Sequence, residues 1–252
     1  MRSVANRIAD ATGARGAVAR GRDHLVDLLN GDRRSPVVRR NEEDDRHLKL
    51  LLRFCLRPTS NCLDVGANRG HFLRVITTVA PDGRHIAYEP VPHLVEQLTD
   101  EFPGVEVRPV ALSDRDGAAT YIEFLDKGFV SLSGLAEQLN PETVSLRRHT
   151  ATTIRTERFD DHVPDGWLPD VVKIDVEGAE LQVLEGAVLT LRKAKPLVAF
   201  EHGQLHGNSD ALFTLLCEDV GLRLFNMDGE GPLDRSAFID QLASRWNWVA
   251  HE

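Results

Sequence analysis

"LDVGANRGHF" (residues 63–72) carries an apolar run to the carboxylate of Asp64, then two glycines four apart, Gly66 and Gly70. A strand, a tight turn and a helix start within ten residues form the opening unit of a parallel α/β sheet. Glycine allows a positive φ or a close backbone approach, and the helix N-terminus beyond the turn points at whatever ligand it holds. The GxxxG spacing misses the third glycine of the dinucleotide fingerprint, and no GK[ST] follows to make a phosphate loop. On the turn alone, a dinucleotide, S-adenosylmethionine and a purely structural turn all stand open.

The same rhythm repeats on the C-terminal side. Strands are expected over 61–65, 84–89, 105–112, 170–175, 196–202, 222–227 and 246–251. Between them, helices are expected from the turn to about Val79, over 92–102, over 177–193, and over 209–221, the last capped by Ser209 and closed by Gly221. Residues 118–125 alternate as an extra antiparallel strand, 152–161 read as an edge strand, and the polar stretch 126–150 reads as a lid or substrate loop. Upstream, "HLVDLLNG" (24–31) is a short helix ending at Asn30-Gly31. A second helix over 43–57 places Leu48, Leu51, Leu52 and Cys55 on one face before Pro58. Alternating strands and helices imply a mostly parallel sheet covered on both faces, with ligands at the carboxyl ends of its strands.

Composition narrows the class. The chain has 252 residues, 42% hydrophobic and 27% charged, as in ordinary soluble domains. No apolar run is long enough for a membrane span, and the arginine-bearing start lacks the apolar core of a secretory signal. A net charge of −9 argues against a general nucleic-acid binder. Residues 1–40 nevertheless hold nine arginines against four aspartates. This basic helical extension, 1–44, could cover an anionic ligand or support a homodimer, and the domain proper is expected over 45–252. Cys55, Cys62 and Cys217 have no CxxC spacing and read as reduced, buried thiols of a cytoplasmic protein.

The strand ends carry the chemistry. Asp64, Glu89, Ala111 to Asp114, Asp175 and Glu201-His202 fall at successive carboxyl ends. Glu89 can accept both hydroxyls of a ribose, which with Asp64 suits a nicotinamide or an adenosylmethionine ligand. Asp175, Glu201 and His202 form an oxygen and nitrogen donor set for Mg²⁺ or another divalent ion. An acidic rim with Trp167, His149, His202 and His206 nearby suits a polyhydroxylated acceptor, because carboxylates accept hydroxyl hydrogen bonds. With a metal bound, the base is Glu177 or His149; without one it is His202.

Taken together, "LDVGANRGHF", "AYEPVPHLVEQL", "VALSDRDGAATYI", "RFDDH", "VVKIDVEGAELQVLEGA" and "KPLVAFEHG" resemble the FkbM family of S-adenosylmethionine-dependent methyltransferases, over about residues 60–202. The resemblance implies a class I, Rossmann-like fold with a seven-stranded sheet and a reversed C-terminal hairpin. It implies that Asp64, Gly66, Ala67, Asn68 and Gly70 hold the methionine end of the cofactor and that Glu89 takes the ribose. Ala111, Leu112, Ser113 and Asp114 would lie near adenine. The activity implied is O-methylation of natural-product or sugar hydroxyls; the acidic rim favours a sugar, oligosaccharide or polysaccharide hydroxyl, with a polyketide or macrolide hydroxyl as the alternative. From other classes, a nicotinamide oxidoreductase lacks the third glycine and any Tyr-x-x-x-Lys pair, and a non-catalytic binding module does not need acids at every strand end.

Overall fold

Side chains in β1 (Cys62–Val65) alternate between two apolar cores. Leu63 and Val65 enter one, Cys62 the other, and all four residues are buried. That is the signature of a strand covered on both faces. The computed structural model describes residues 36–125, 133–139, 141–203 and 206–252; the expected helix over 24–31 and most of the basic extension lie outside them. The chain divides into two units, Met1–Arg46 and His47–Glu252. The second holds every strand described below.

From the long helix α1 (Pro36–Cys55) the chain runs through β1, α2 (His71–Val79), β2 (His85–Tyr88), α3 (Pro92–Glu101) and β3 (Val105–Arg108). After an excursion it returns as β8 (Val171–Ile174), α6 (Glu180–Gly186), α7 (Val188–Ala194) and β9 (Leu197–Glu201). It closes with α8 (Ser209–Phe213), which continues as a π-turned segment to Asp219, then β10 (Arg223–Asn226), α9 (Arg235–Gln241) and β11 (Asn247–His251). The sheet order is β10-β11-β9-β8-β1-β2-β3. All pairings are parallel except those of β11, which runs antiparallel between β9 and β10. This is the reversed hairpin that the resemblance implied, and the class I fold. Among the described residues no helix is long and apolar enough to cross a membrane.

The excursion forms a second sheet, β4-β7-β5-β6, from β4 (Ala111–Ser113), β5 (Gly117–Phe124), β6 (Gly134–Leu135) and β7 (His149–Arg158), with α4 (Pro141–Leu146) and α5 (Phe159–His162) beside it. Two expectations change here. The strand over 105–112 is two strands, because Pro109 has no N–H to continue a ladder, and Ala111–Ser113 pair with β7 in the other sheet. Nor is β7 an edge: β4 and β5 flank it. The expected helix over 177–193 starts at Glu180 and breaks at Ala187. Cys55 is exposed and Cys217 half-buried; only Cys62 is a buried thiol.

Candidate functional site

At the carboxyl edge, the loop after β1 is built from three positive-φ residues, Gly66 (78°), Asn68 (47°) and Gly70 (73°). The N–H groups of Gly66 and Ala67 both donate to the Tyr88 carbonyl, at 3.0 and 3.1 Å. Gly66 has no room for a side chain, since a Cβ there would lie 2.0 Å from the Asp175 carbonyl oxygen. Glu89, buried beyond β2, accepts the Asn68 N–H on one carboxylate oxygen (2.8 Å) and the Val91 N–H on the other (2.9 Å). Burial raises its pKa, and the two N–H donors partly offset that. Each oxygen keeps a lone pair for a further donor.

On β1, Asp64 is wholly buried, and neither carboxylate oxygen has a hydrogen-bond partner among the described residues. Burial pushes its pKa up to about 7; the Lys173 ammonium pulls it down, and Asp175 and Glu89 push it up. Lys173 is its register partner on β8 and donates to Asp175 Oδ2 at 2.9 Å. Burial disfavours the ammonium, but Asp175 and Asp64 more than offset it and keep it charged. One cation thus serves two carboxylates.

Glu177 and Gly178 follow in left-handed backbone (φ 54° and 105°), turning the chain before α6. Burial, with Asp175 and Glu180 nearby, raises the Glu177 pKa to about 8 against the pull of Lys173. Glu201 is shifted the same way by burial and by Asp175 and Glu177. The second sheet lies over this loop: a Cβ on Gly134 of β6 would be 3.4 Å from Glu177 Cβ. From β5, the Tyr121 hydroxyl donates to the Ser133 carbonyl (3.2 Å). Burial and the charges of Glu89, Glu123, Glu177 and Asp175 suppress its ionisation, so it borders both Glu89 and the acids after β8.

The expected donor set does not come together with His202. Asp175 is engaged by Lys173, and Asp175 and Glu201 do not join His202 in a common donor set. His202 is buried instead beside Glu180 and His206, whose donor atoms lie with its own within 4.8 Å of one another. Its Nε2 meets Ser209 Oγ at 2.9 Å, so Ser209 binds the histidine rather than capping α8, where Asn208 is the cap residue. His149 stands exposed at the start of β7, its Nδ1 against the Arg147 carbonyl (2.9 Å). Trp167 is at the opposite rim, donating to the Arg84 carbonyl just before β2, and so leaves the acceptor region. Ala111, Leu112 and Ser113 form β4, and Asp114 follows it. The Ser113 carbonyl is pressed on Gly186 of α6, where a Cβ would be 2.0 Å away, and Ser113 Oγ meets Asp114 Oδ1 at 3.1 Å. Lys173, Tyr121, Glu180 and His206 are the site residues that the strand-end rule did not single out.

With loop, acids and sheet order in place, one comparison is decisive: residues 64–224, more than half of the chain, match the family described as the methyltransferase FkbM domain. The chain belongs to the FkbM methyltransferase domain family. Three relatives bracket this FkbM domain. It is 30% identical over 243 residues to the AMB antimetabolite synthetase AmbE of Pseudomonas aeruginosa, covering 77% of this chain and 11% of that one. It is 27% identical over 150 residues to the 2-O-methyltransferase NoeI of Sinorhizobium fredii (55% and 62%). It is 29% identical over 152 residues to the methyltransferase sdnD of Sordaria araneosa (49% and 59%). The chain therefore spans less than two thirds of each of these relatives. Among solved structures, the methyltransferase FkbM of Methylobacillus flagellatus aligns with a TM-score of 0.49 at 17% identity, over 78% of this chain and 44% of that one.

Proposed function

We propose that this FkbM domain transfers the methyl group of S-adenosylmethionine to a hydroxyl oxygen of a carbohydrate acceptor. The observation that carries the reading is the contact of Gly66 with the Asp175 carbonyl, which joins the loop fitted to the cofactor to the loop that bears Glu177. The residues fit an adenosyl ligand. Asp64 offers two buried oxygens without partners to an ammonium donor, and Glu89 keeps lone pairs for ribose hydroxyls. When bound, S-adenosylmethionine supplies the electrophilic methyl group.

The chain's own part is orientation and proton removal. An alcohol is a weak nucleophile at neutral pH, and a carboxylate whose pKa is lifted toward the working pH is a better base for it. Glu177, at about 8, meets that requirement beside the cofactor loop. The surrounding acids, Asp175 and Glu201, accept hydrogen bonds from further hydroxyls, which favours a polyhydroxylated acceptor over a mostly apolar polyketide. Lys173 holds Asp175 in place and prevents the cluster from repelling itself apart. Asp175, Glu201 and His202 do not fit Mg²⁺ as a set, because Asp175 already has a cation in Lys173 and His202 groups with Glu180 and His206. A relative named a 2-O-methyltransferase supports oxygen as the receiving atom.

The test is a panel of mono- and oligosaccharides, polyketide alcohols and amines, incubated with methyl-labelled cofactor. Label on a sugar oxygen is the expected result. Label only on aglycone alcohols overturns the carbohydrate assignment, and label only on nitrogen overturns the role given to Glu177.

A further inference from the structure

Two buried polar atoms without hydrogen-bond partners among the described residues converge behind the acid loop: Glu180 Oε2 and His202 Nδ1. They are 3.9 Å apart, and His206 Nδ1 lies 3.6 Å from the same Glu180 oxygen. Everything else about the three side chains is fixed. Glu180 Oε1 accepts the Gly178 N–H at 3.0 Å. His202 is held at Nε2 by Ser209 Oγ, at its carbonyl by the Trp248 indole N–H (2.8 Å), and on one ring face by Phe238. His206 Nδ1 accepts a long contact from the Gly203 N–H at 3.4 Å, so that nitrogen is unprotonated, and a bound zinc would displace this one weak contact.

We propose that Glu180, His202 and His206 form a zinc site, in which one carboxylate oxygen and two imidazole nitrogens converge on a buried position between the start of α6 and the end of β9. Two imidazoles and one carboxylate select a borderline transition ion; Mg²⁺ and Ca²⁺ take oxygen sets. Zinc bonds of about 2.0–2.2 Å hold tetrahedral ligand atoms roughly 3.4 Å apart; the two Glu180–histidine gaps of 3.9 and 3.6 Å lie close to that, and the gap between the imidazoles is within 4.8 Å. Three protein ligands leave a fourth position for water or another oxygen donor. The ion would supply the partner that Glu180 Oε2 and His202 Nδ1 lack. It would also pin the turn carrying Glu177 and Gly178 to β9. This inference stands apart from the methyl-transfer reading, because it concerns metal content and not turnover.

The experiment uses the full chain, stripped with a chelator, dialysed and titrated with Co²⁺ and Zn²⁺. One equivalent per chain is expected, with the visible band of tetrahedral cobalt. X-ray absorption of the zinc form should show two imidazoles and an oxygen donor. His206→Ala, at a half-buried position, and Glu180→Gln should each weaken zinc binding by at least about 100-fold, since even outer-shell losses cost 10–100-fold. Absence of stoichiometric binding to the folded wild-type chain overturns the proposal. So does thiolate scattering, or wild-type affinity in both variants. The wild-type spectra decide the matter even where a variant fails to fold.

Discussion

Replacing Gly66 with alanine perturbs the point on which the site turns. The backbone there has φ +78°, and an alanine forced into the left-handed region costs about 1–2 kcal/mol. Its Cβ would stand 2.0 Å from the Asp175 carbonyl oxygen. Relief needs one loop to retreat by more than about 1 Å, given ordinary carbon contacts of about 3.5–4.0 Å. A retreat by the first loop stretches the Gly66 bond to the Tyr88 carbonyl. A retreat by the second loosens Asp175, whose N–H donates to the Val65 carbonyl and whose carboxylate holds Lys173. Leaving one such buried group unpaired costs about 1–3 kcal/mol. The total is roughly 3 kcal/mol or more, about 6–12 °C in Tm for a domain of this size. Gly166→Ala is the matched control: its φ is +71°, yet a Cβ there meets nothing within 4 Å, so it carries the backbone strain alone. Thermal unfolding of both variants, with and without S-adenosylhomocysteine, is the assay. Gly66→Ala should lose clearly more than Gly166→Ala, and its ligand affinity should fall at least about tenfold. Equal losses in the two variants, with unchanged ligand stabilisation, would refute the reasoning.

Four further outcomes follow from the acid cluster and from the start of α7. With its pKa near 8, Glu177 is about a tenth ionised at pH 7 and about nine tenths at pH 9, so kcat/KM should climb over that interval. Glu177→Gln should cost about 10²–10⁴-fold and flatten the climb; a persistent slope assigns the base elsewhere. The same raised pKa means that wild-type stability falls as pH rises from about 4.5 to 8, since the unfolded carboxyl releases its proton first. Urea unfolding should therefore show Glu177→Gln gaining on the wild type across that window, and a constant difference would count against the shift. Lys173→Met strips the cation from Asp64 and Asp175, a loss of about 3–5 kcal/mol at pH 8 for the wholly buried Asp64, and acidification should restore stability by neutralising Asp64. Equal losses at pH 5 and pH 8 would show that Lys173 acts by packing alone. Asp160→Ala removes the acceptor for the Leu189 and Thr190 N–H groups and the Thr190 hydroxyl, so denaturant titration should show a loss of about 1–3 kcal/mol; ligand affinity of the folded protein should not change.

Much of this fold could be read from residue order, because each central strand announces itself as an apolar run ending in a carboxylate. Asp64 and Glu89 stand where that rule put them. Pro109 was the available sign that the third strand stops at Arg108, but the apolar run through Leu112 concealed the change of sheet. Glu180 was not legible, and His206 was legible only as a histidine near the acidic rim, for a different reason. Glu180 looked like a mid-helix residue, and only the left-handed turn at Glu177 and Gly178 makes it the first residue of α6, facing inward. His206 is four residues beyond His202, yet its approach to Glu180 depends on how β9 and α6 pack, which no local pattern records. The helix α9 had a legible start, Asp234 capping the Ala237 N–H at 2.9 Å, with Phe238 and Leu242 on one face.

If the turn after β1 and Glu89 hold an adenosyl cofactor in methyl-donor form, calorimetric titration of the full chain with S-adenosylhomocysteine, and separately with NADH, will distinguish the two ligands. One S-adenosylhomocysteine site per chain is expected, weakened at least about tenfold by Glu89→Ala, with no heat from NADH. Binding of NADH with no response to S-adenosylhomocysteine would contradict that assignment.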